Sequence, residues 1–235
     1  MSAKGRLSAR KARVLIVDDC PLVRSALRGI VEGAEDMICC GEVESSAATQ
    51  AAASKYLPDL VLLELWLAEG ICLDLVGWLK QQLPQTTIMI LTASSDPIYV
   101  QRAFGAGADG YVTKRETTDR ILYAIRNVLH GHRYLSPNLR APLFRNFLLE
   151  KSPGRRDPAA ALTNRELHVF QLIGAGNRTR EVATILGLSS KTVETHRENI
   201  KFKLGLKDAA ALVHAATRWL RAQSVPDGAF RGQRC

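Results

Sequence analysis

Four short apolar runs in this chain each end at a polar residue. Runs of this length between helix-like stretches are typical of buried parallel strands. In an open α/β sheet, the carboxyl ends of such strands face the ligand crevice. The sequence therefore predicts that two aspartates, a glutamate, a hydroxyl and a lysine converge there. The runs cover 14–17, 60–63, 88–91 and 111–113, and they lead into Asp18-Asp19, Glu64, Thr92 and Lys114.

Strand-like and helix-like segments alternate from residue 13 to about residue 130. Five such units predict an α/β fold with a doubly wound five-stranded parallel sheet. The predicted strands are 13–18, 37–43, 59–64, 87–92 and 109–113. The predicted helices are 21–34, 45–56, 70–82, 96–106 and 116–130.

Residues 163–221 show only helical periodicity, and four helices fit them. They are predicted at about 163–175, 178–186, 189–204 and 207–221. Thr163 and Glu166 have capping-box spacing, Ser189 can cap the third helix, and Asn177 is the expected cap of the second. The three-residue turn that begins at Gly187 makes the second and third helices a helix-turn-helix. The second half is thus predicted to be a small all-α domain.

Breaks in these patterns divide the chain into five parts. We expect a basic disordered tail (1–12), a first domain (13–131), a linker with a helix at 138–150 (132–160), a second domain (161–222) and a flexible tail (223–235).

Charge is distributed unevenly along the 235 residues, which suffice for two domains. Residues 14–130 hold 9 Lys and Arg against 15 Asp and Glu, whereas residues 131–235 hold 18 against 8. A polyanion is therefore expected to meet only the second half. The sequence has neither an apolar stretch of membrane-spanning length nor a signal peptide, so we expect a cytoplasmic protein without membrane contact.

The second half carries motifs that resemble a LuxR-type DNA-binding domain, and the first half resembles a phosphoacceptor receiver domain of flavodoxin-like fold. The match covers about residues 13–220 in the order of the NarL/FixJ family of response regulators. This resemblance implies a sequence-specific transcription regulator that binds double-stranded DNA as a homodimer. The motifs are Leu162-Thr163-x-Arg165-Glu166, Gly176, Glu181-Val182-Ala183, Leu186, Ser189, Thr192-Val193-x-x-His196, Ile200, Lys203-Leu204-Gly205 and the connecting Gly131-x-x-Tyr134-Leu135-Ser136-Pro137.

The resemblance also assigns roles within the second domain. The third helix would enter the major groove, where base edges can be read, while other contacts fix the helix on the phosphates. The expected base-contacting residues are Glu194, Thr195, Arg197 and Glu198. The expected phosphate-contacting residues are Lys191, Thr192, His196, Lys201 and Lys203; a structural role for His196 is the alternative. The last helix would supply a dimer interface through Leu212, Val213 and Ala216, unless that stripe packs on the domain's own core.

In a receiver, an aspartate after the third strand accepts a phosphoryl group from a histidine kinase. Two acids hold Mg²⁺, and a hydroxyl, an aromatic residue and a lysine complete the switch. By position these are Asp18 and Asp19, Thr92, Tyr111 and Lys114, but Glu64 stands where the phosphoacceptor would be, and Ala68 replaces a customary proline.

Glutamate is longer than aspartate by one C–C bond, about 1.5 Å. In-line attack tolerates little displacement, so we expect phosphoryl transfer to be lost or severely slowed. The longer carboxylate can reach Lys114 and Thr92 instead and partly imitate phosphoryl oxygens. We therefore expect Glu64 to favour an active-like, dimer-competent state without a kinase. Asp18, Asp19 and Glu64 are expected to bind Mg²⁺ weakly or not at all, with Lys114 neutralising them, and no other cofactor is expected.

Three alternatives remain open from the sequence. The protein is a conventional regulator controlled by phosphorylation, which requires a kinase partner. It is a protein-interaction module with secondary DNA binding, or the pocket is only a scaffold. An enzyme, such as a phosphatase with an aspartyl nucleophile, is disfavoured because no substrate-cap insertion follows Asp18.

Overall fold

The computed structural model describes residues 10–150 and 158–223. The chain forms two compact units: the first comprises residues up to Leu67 and Cys72–Asn146, and the second comprises Ala68–Ile71 and the chain from Phe147 onward. Most of the predicted basic tail, part of the predicted linker and nearly all of the C-terminal tail lie outside the described residues.

The first unit contains a parallel sheet with the strand order β2-β1-β3-β6-β7-β8, and β4 and β5 form a separate two-stranded pair. The strands are β1 (Ala12–Val17), β2 (Met37–Val43), β3 (Leu60–Leu63), β4 (Trp66–Leu67), β5 (Gly70–Ile71), β6 (Thr87–Thr92), β7 (Gly110–Thr113) and β8 (Tyr134–Leu135).

The sheet has six strands, so the prediction of five was one strand short. β8 pairs in parallel with β7, with Tyr134 opposite Gly110 and Leu135 opposite Tyr111. The sequence indicated a turn here, because two residues are too few to show strand periodicity. A similar short strand, β5, makes the third helix begin at Leu73 rather than at residue 70.

Helices cover both faces of the sheet, which explains why its central strands are apolar at consecutive positions. Val14 and Ile16 of β1 pack in one core with side chains from the first and fifth helices, such as Leu27 and Ile125. Leu15, between them, is fully buried on the opposite face. The helices up to residue 150 are α1 (Pro21–Glu32), α2 (Ser46–Tyr56), α3 (Leu73–Gln82), α4 (Pro97–Ala106), α5 (Thr118–Leu129) and α6 (Pro137–Glu150).

From Pro158 onward the described chain is all helical, with a short 3-10 helix (Pro158–Ala161) before four α-helices. These are α7 (Asn164–Gly174), α8 (Thr179–Leu186), α9 (Ser190–Leu204) and α10 (Ala209–Gln223). α8 ends at Gly187, whose φ of 61° is a left-handed conformation that glycine adopts without a Cβ penalty. The next helix begins only three residues later. The predicted helix-turn-helix is therefore confirmed.

Caps at the ends of these helices follow the sequence with one correction. Thr163 and Glu166 form the predicted capping box, and the Ser189 hydroxyl accepts from the Thr192 N–H at 3.0 Å. Asn177 does not cap α8, because its side chain donates to the Leu172 carbonyl at the end of α7, at 2.9 Å. Glu181 accepts from the Arg178 N–H at 2.6 Å instead, so the start of α8 is held from within the helix.

α7 and α10 approach each other closely at Gly174. A Cβ at this position would lie 2.7 Å from the backbone oxygen of Ala216. Phe170 and Trp219 complete the contact, with ring centroids 5.7 Å apart. A glycine here allows the last helix to close the core of the second unit.

Within the part of the chain that the structure describes, no helix combines the length and hydrophobicity needed to cross a lipid bilayer.

Gly174→Ala is expected to destabilise the second unit by about 1–3 kcal/mol, because the added methyl meets backbone that cannot rotate away. Urea unfolding of the full-length protein, followed through Trp219 in a variant without the other tryptophans, measures the change. Gly77→Ala in α3 is the matched control, since a Cβ there has no neighbour within 4 Å. Equal stability of Gly174→Ala and the parent would contradict the close approach.

Candidate functional site

Four of the five side chains that the sequence predicted converge at the carboxyl ends of β1, β3, β6 and β7, whereas Asp19 is exposed. Lys114 Nζ lies 2.6 Å from Asp18 Oδ2 and 2.6 Å from Glu64 Oε2. The hydroxyl of Thr92 donates to Glu64 Oε1 at 2.5 Å. Asp18, Glu64 and Thr92 are buried. We call these four residues the acidic pocket.

Each oxygen of the Glu64 carboxylate has its own partners. Oε1 accepts from the Thr92 hydroxyl and from the Trp66 backbone N–H at 3.0 Å, whereas Oε2 pairs with the Lys114 ammonium. The predicted reach of Glu64 to both Lys114 and Thr92 is thus confirmed. Since Glu64 is only 6% exposed, its carboxylate is largely shielded from water.

Burial and ion pairing have opposite effects on the pKa values of Glu64 and Lys114 in the pocket. Burial raises the pKa of Glu64 above its usual range, and the Lys114 ammonium only partly offsets this effect. Burial alone would lower the pKa of Lys114, but the carboxylates of Glu64 and Asp18 outweigh it, so the net shift is upward. Lys114 is therefore held as a cation between two acids.

The pocket as arranged does not fit a divalent cation. The Lys114 ammonium already lies within hydrogen-bonding distance of two of the three acids that Mg²⁺ would need. The third, Asp19, is exposed. Among residues 10–150 and 158–223, no group of three acidic, histidine or cysteine side chains could hold a metal ion.

Two aromatic residues adjoin the pocket. Tyr111 is fully buried, and its hydroxyl donates to the Ser94 carbonyl at 3.1 Å, two residues beyond Thr92. Burial raises the pKa of this phenol far above its ordinary value, so it stays a donor. Trp66 packs edge-on against Tyr99 of α4, with centroids 5.1 Å apart. The loop after β6 is thus tied to both Tyr111 and Glu64.

The second candidate site is the outward face of α9. Val193 and Ile200 are fully buried and fix the helix against the second unit. The opposite side is exposed, and it includes Lys191, Thr192, Glu194, Thr195 and Glu198 from the predicted DNA-contacting set. We call this side the α9 outer face.

Three other side chains predicted to contact DNA are partly buried or paired with acidic residues of the second unit. Arg197 has a side chain only 13% exposed and lies 3.5 Å from Glu194. Lys201 pairs with Glu198 at 2.9 Å, and Lys203 pairs with the capping-box Glu166 at 2.6 Å.

His196 is half-buried, and its Nδ1 has no hydrogen-bond partner among the described residues. Burial lowers the pKa of His196, so a charged phosphate contact is disfavoured.

The predicted dimer residues on α10 are mostly internal. Leu212 and Ala216 are fully buried, so they pack on the core of their own unit and cannot offer a free dimer surface. Val213 is 42% exposed and is the one member of the predicted set on the outside. A dimer contact through α10 would use the side of the helix that carries Val213.

Two features of the sites escaped the sequence reasoning. The Trp66 N–H contributes to the acidic pocket, and a backbone donor leaves no mark in the residue type. Phe202, 88% exposed, lies on the α9 outer face. Its spacing of seven residues from Thr195 could have indicated this position.

Comparison with known families matches both halves of the chain. A response regulator receiver domain matches residues 14–126, and the LuxR family of bacterial regulatory proteins matches residues 160–216. The first match extends from β1 to α5, and the second includes the helix-turn-helix.

Two relatives match along most of their length. The transcriptional regulatory protein MctR of Rhizobium johnstonii is 32% identical over 206 residues, which are 88% of this chain and 93% of that protein. The oxygen regulatory protein NreC of Staphylococcus aureus is 31% identical over 210 residues, or 88% of this chain and 97% of NreC.

Solved structures show the same fold. RcsB from Salmonella typhimurium has a TM-score of 0.60 at 22% identity, covering 89% of this chain and 98% of RcsB. A LuxR-family response regulator from Aurantimonas has a TM-score of 0.56 at 27% identity, covering 59% of this chain and 99% of that one.

Lys114→Ala is expected to cost about 3–5 kcal/mol of stability at neutral pH, because it leaves buried carboxylates without their cation. The pKa of Glu64 then rises further in the folded state, so the folded state binds more protons than the unfolded chain. The loss should therefore shrink as the pH falls toward the ordinary carboxylate range.

Urea unfolding at several pH values measures this loss. Lys80→Ala is the control, since Lys80 pairs with the more exposed Asp109 at 2.7 Å and should cost clearly less. A pH-independent loss in Lys114→Ala would contradict the pairing described for the acidic pocket.

Proposed function

The chain belongs to the response regulators that join a receiver domain to a LuxR-type DNA-binding domain, and we propose that its receiver acts without phosphorylation. It is a DNA-binding transcription regulator by family. The proposed addition is that Glu64 biases the receiver toward an active-like state without a kinase. The observation that supports it is the contact of one carboxylate with both Lys114 and Thr92.

The contacts of Glu64 explain how the receiver could favour an active-like conformation without phosphoryl transfer. A phosphoryl group on a receiver adds oxygens that would attract a lysine and a hydroxyl. Here a permanent carboxylate takes those two donors, together with the Trp66 N–H. A phosphoryl donor would meet a carboxylate displaced by about one C–C bond and already engaged on both oxygens.

The shift of the receiver toward the active-like state is expected to be partial. A carboxylate carries one negative charge, whereas a phosphoryl group carries about 1.5 to 2 at neutral pH. The receiver therefore gains a bias toward the active-like state rather than a complete shift. Because Lys114 supplies the positive charge between Asp18 and Glu64, the proposed state needs no Mg²⁺ and no histidine kinase.

The output is proposed to be sequence-specific binding by a homodimer in the cytoplasm. RcsB has been solved as two dimers bound to two parallel DNAs, with a TM-score of 0.55 to this chain. In this chain the α9 outer face presents Thr195 and Glu198 for bases and Lys191 for a phosphate. The exposed glutamates would favour particular bases and weaken general attraction, since they repel phosphates.

Glu64→Gln is expected to weaken DNA binding by about fivefold or more, at the lower end of typical coupling between sites. Glutamine keeps the size of the side chain but removes the charge that holds Lys114. Fluorescence anisotropy with a duplex selected by the wild type measures affinity, and Glu35→Gln, at an exposed position of the receiver, is the control.

Treatment with acetyl phosphate tests directly whether Glu64 can accept a phosphoryl group. We expect it to label Glu64→Asp and not the wild type, with no effect on wild-type DNA binding. Stable labelling of the wild type at Glu64, accompanied by tighter DNA binding, would establish a conventional phosphorylation switch and overturn the proposal.

Lys191→Ala is expected to lower the salt dependence of DNA binding by about one released counterion, because one phosphate contact is lost. The affinity should fall by a similar factor for selected and random duplexes. Lys55→Ala in the receiver is the control. An unchanged salt slope would remove Lys191 from the DNA contact.

A further inference from the structure

Phe202 is the most exposed large hydrophobic side chain among the described residues, at 88%. It lies near the carboxyl end of α9. The same helix buries Val193 and Ile200 completely, so its inward face already has its apolar residues. Phe202 therefore contributes little to the fold. Its exposure points instead to a contact with another molecule.

The position of Phe202 aligns it with the α9 outer face. Thr195, Glu198 and Phe202 are spaced by three, four and seven residues, which places them on one side of a helix. At 1.5 Å per residue, Thr195 and Phe202 are about 10 Å apart along the axis. This length matches about three base steps of a DNA strand at 3.4 Å each.

The charges beside Phe202 are already engaged. Lys201 pairs with Glu198, and Lys203 pairs with Glu166. The end of the helix thus presents an aromatic ring between two lysines whose ammonium groups are already paired with carboxylates. Thymine is the base that places a methyl group on the major-groove edge, and apolar side chains contact it there.

We propose that Phe202 reads the 5-methyl group of a thymine in the DNA bound by α9. This inference rests on the α9 outer face being the DNA-reading surface. It adds an apolar specificity contact, about three base steps from the one assigned to Thr195.

The test removes one methyl group at a time from the DNA. A duplex is first selected from a random library by the full-length wild-type protein. Each thymine of one half-site is then replaced by deoxyuracil. We expect one replacement to weaken wild-type binding about fourfold, the loss typical of one buried methylene. Phe202→Ala should bind the thymine and uracil duplexes equally, with the wild-type salt slope.

Phe144→Ala is the matched control, because Phe144 is a 64% exposed phenylalanine of the first unit. It should keep the wild-type response to every replacement. If Phe202→Ala retains the full thymine-to-uracil difference, or if no replacement weakens the wild type, the proposal is overturned. Selection of no duplex by the wild type would instead overturn DNA binding itself, and this inference with it.

Discussion

The position of Lys114 between Asp18 and Glu64 is the constraint on which the arrangement of the acidic pocket depends. Its ammonium lies 2.6 Å from an oxygen of each carboxylate. Buried ion pairs contribute little net stability when complete, but they are costly to break. The pairing therefore specifies one arrangement of the loops after β1, β3, β6 and β7. Thr92 and the Trp66 N–H are bound to the same carboxylate, so these loops are fixed together.

The main architecture could be predicted because its physical causes lie within short stretches of sequence. Consecutive apolar residues such as Val14–Val17 predicted strands covered on both faces. Thr163 and Glu166 predicted the start of a helix, since a capping box needs only residues three positions apart. The convergence of Glu64, Thr92 and Lys114 followed from topology, because the ends of parallel strands share one edge.

Other features depend on contacts between distant residues, which local patterns do not contain. β8 has two residues and exists because Tyr134 meets Gly110 across the sheet. Asn177 had the right residue type for a cap, but its side-chain amide donates to the Leu172 carbonyl instead. The stripe with Leu212 and Ala216 fitted either a dimer interface or a core, and the small Gly174 on α7 decided for the core.

The most direct measurement of the central claim is NMR of the full-length protein with and without beryllofluoride and Mg²⁺, a phosphoryl mimic used with RcsB. The backbone amides of Trp66, Thr92 and Tyr111 report on the acidic pocket. If the Glu64 carboxylate already engages Lys114 and Thr92, these resonances will stay in place in the wild type and move in Glu64→Asp. Shifts of the same size in the wild type would show that the pocket is open to a phosphoryl group, and would contradict the account.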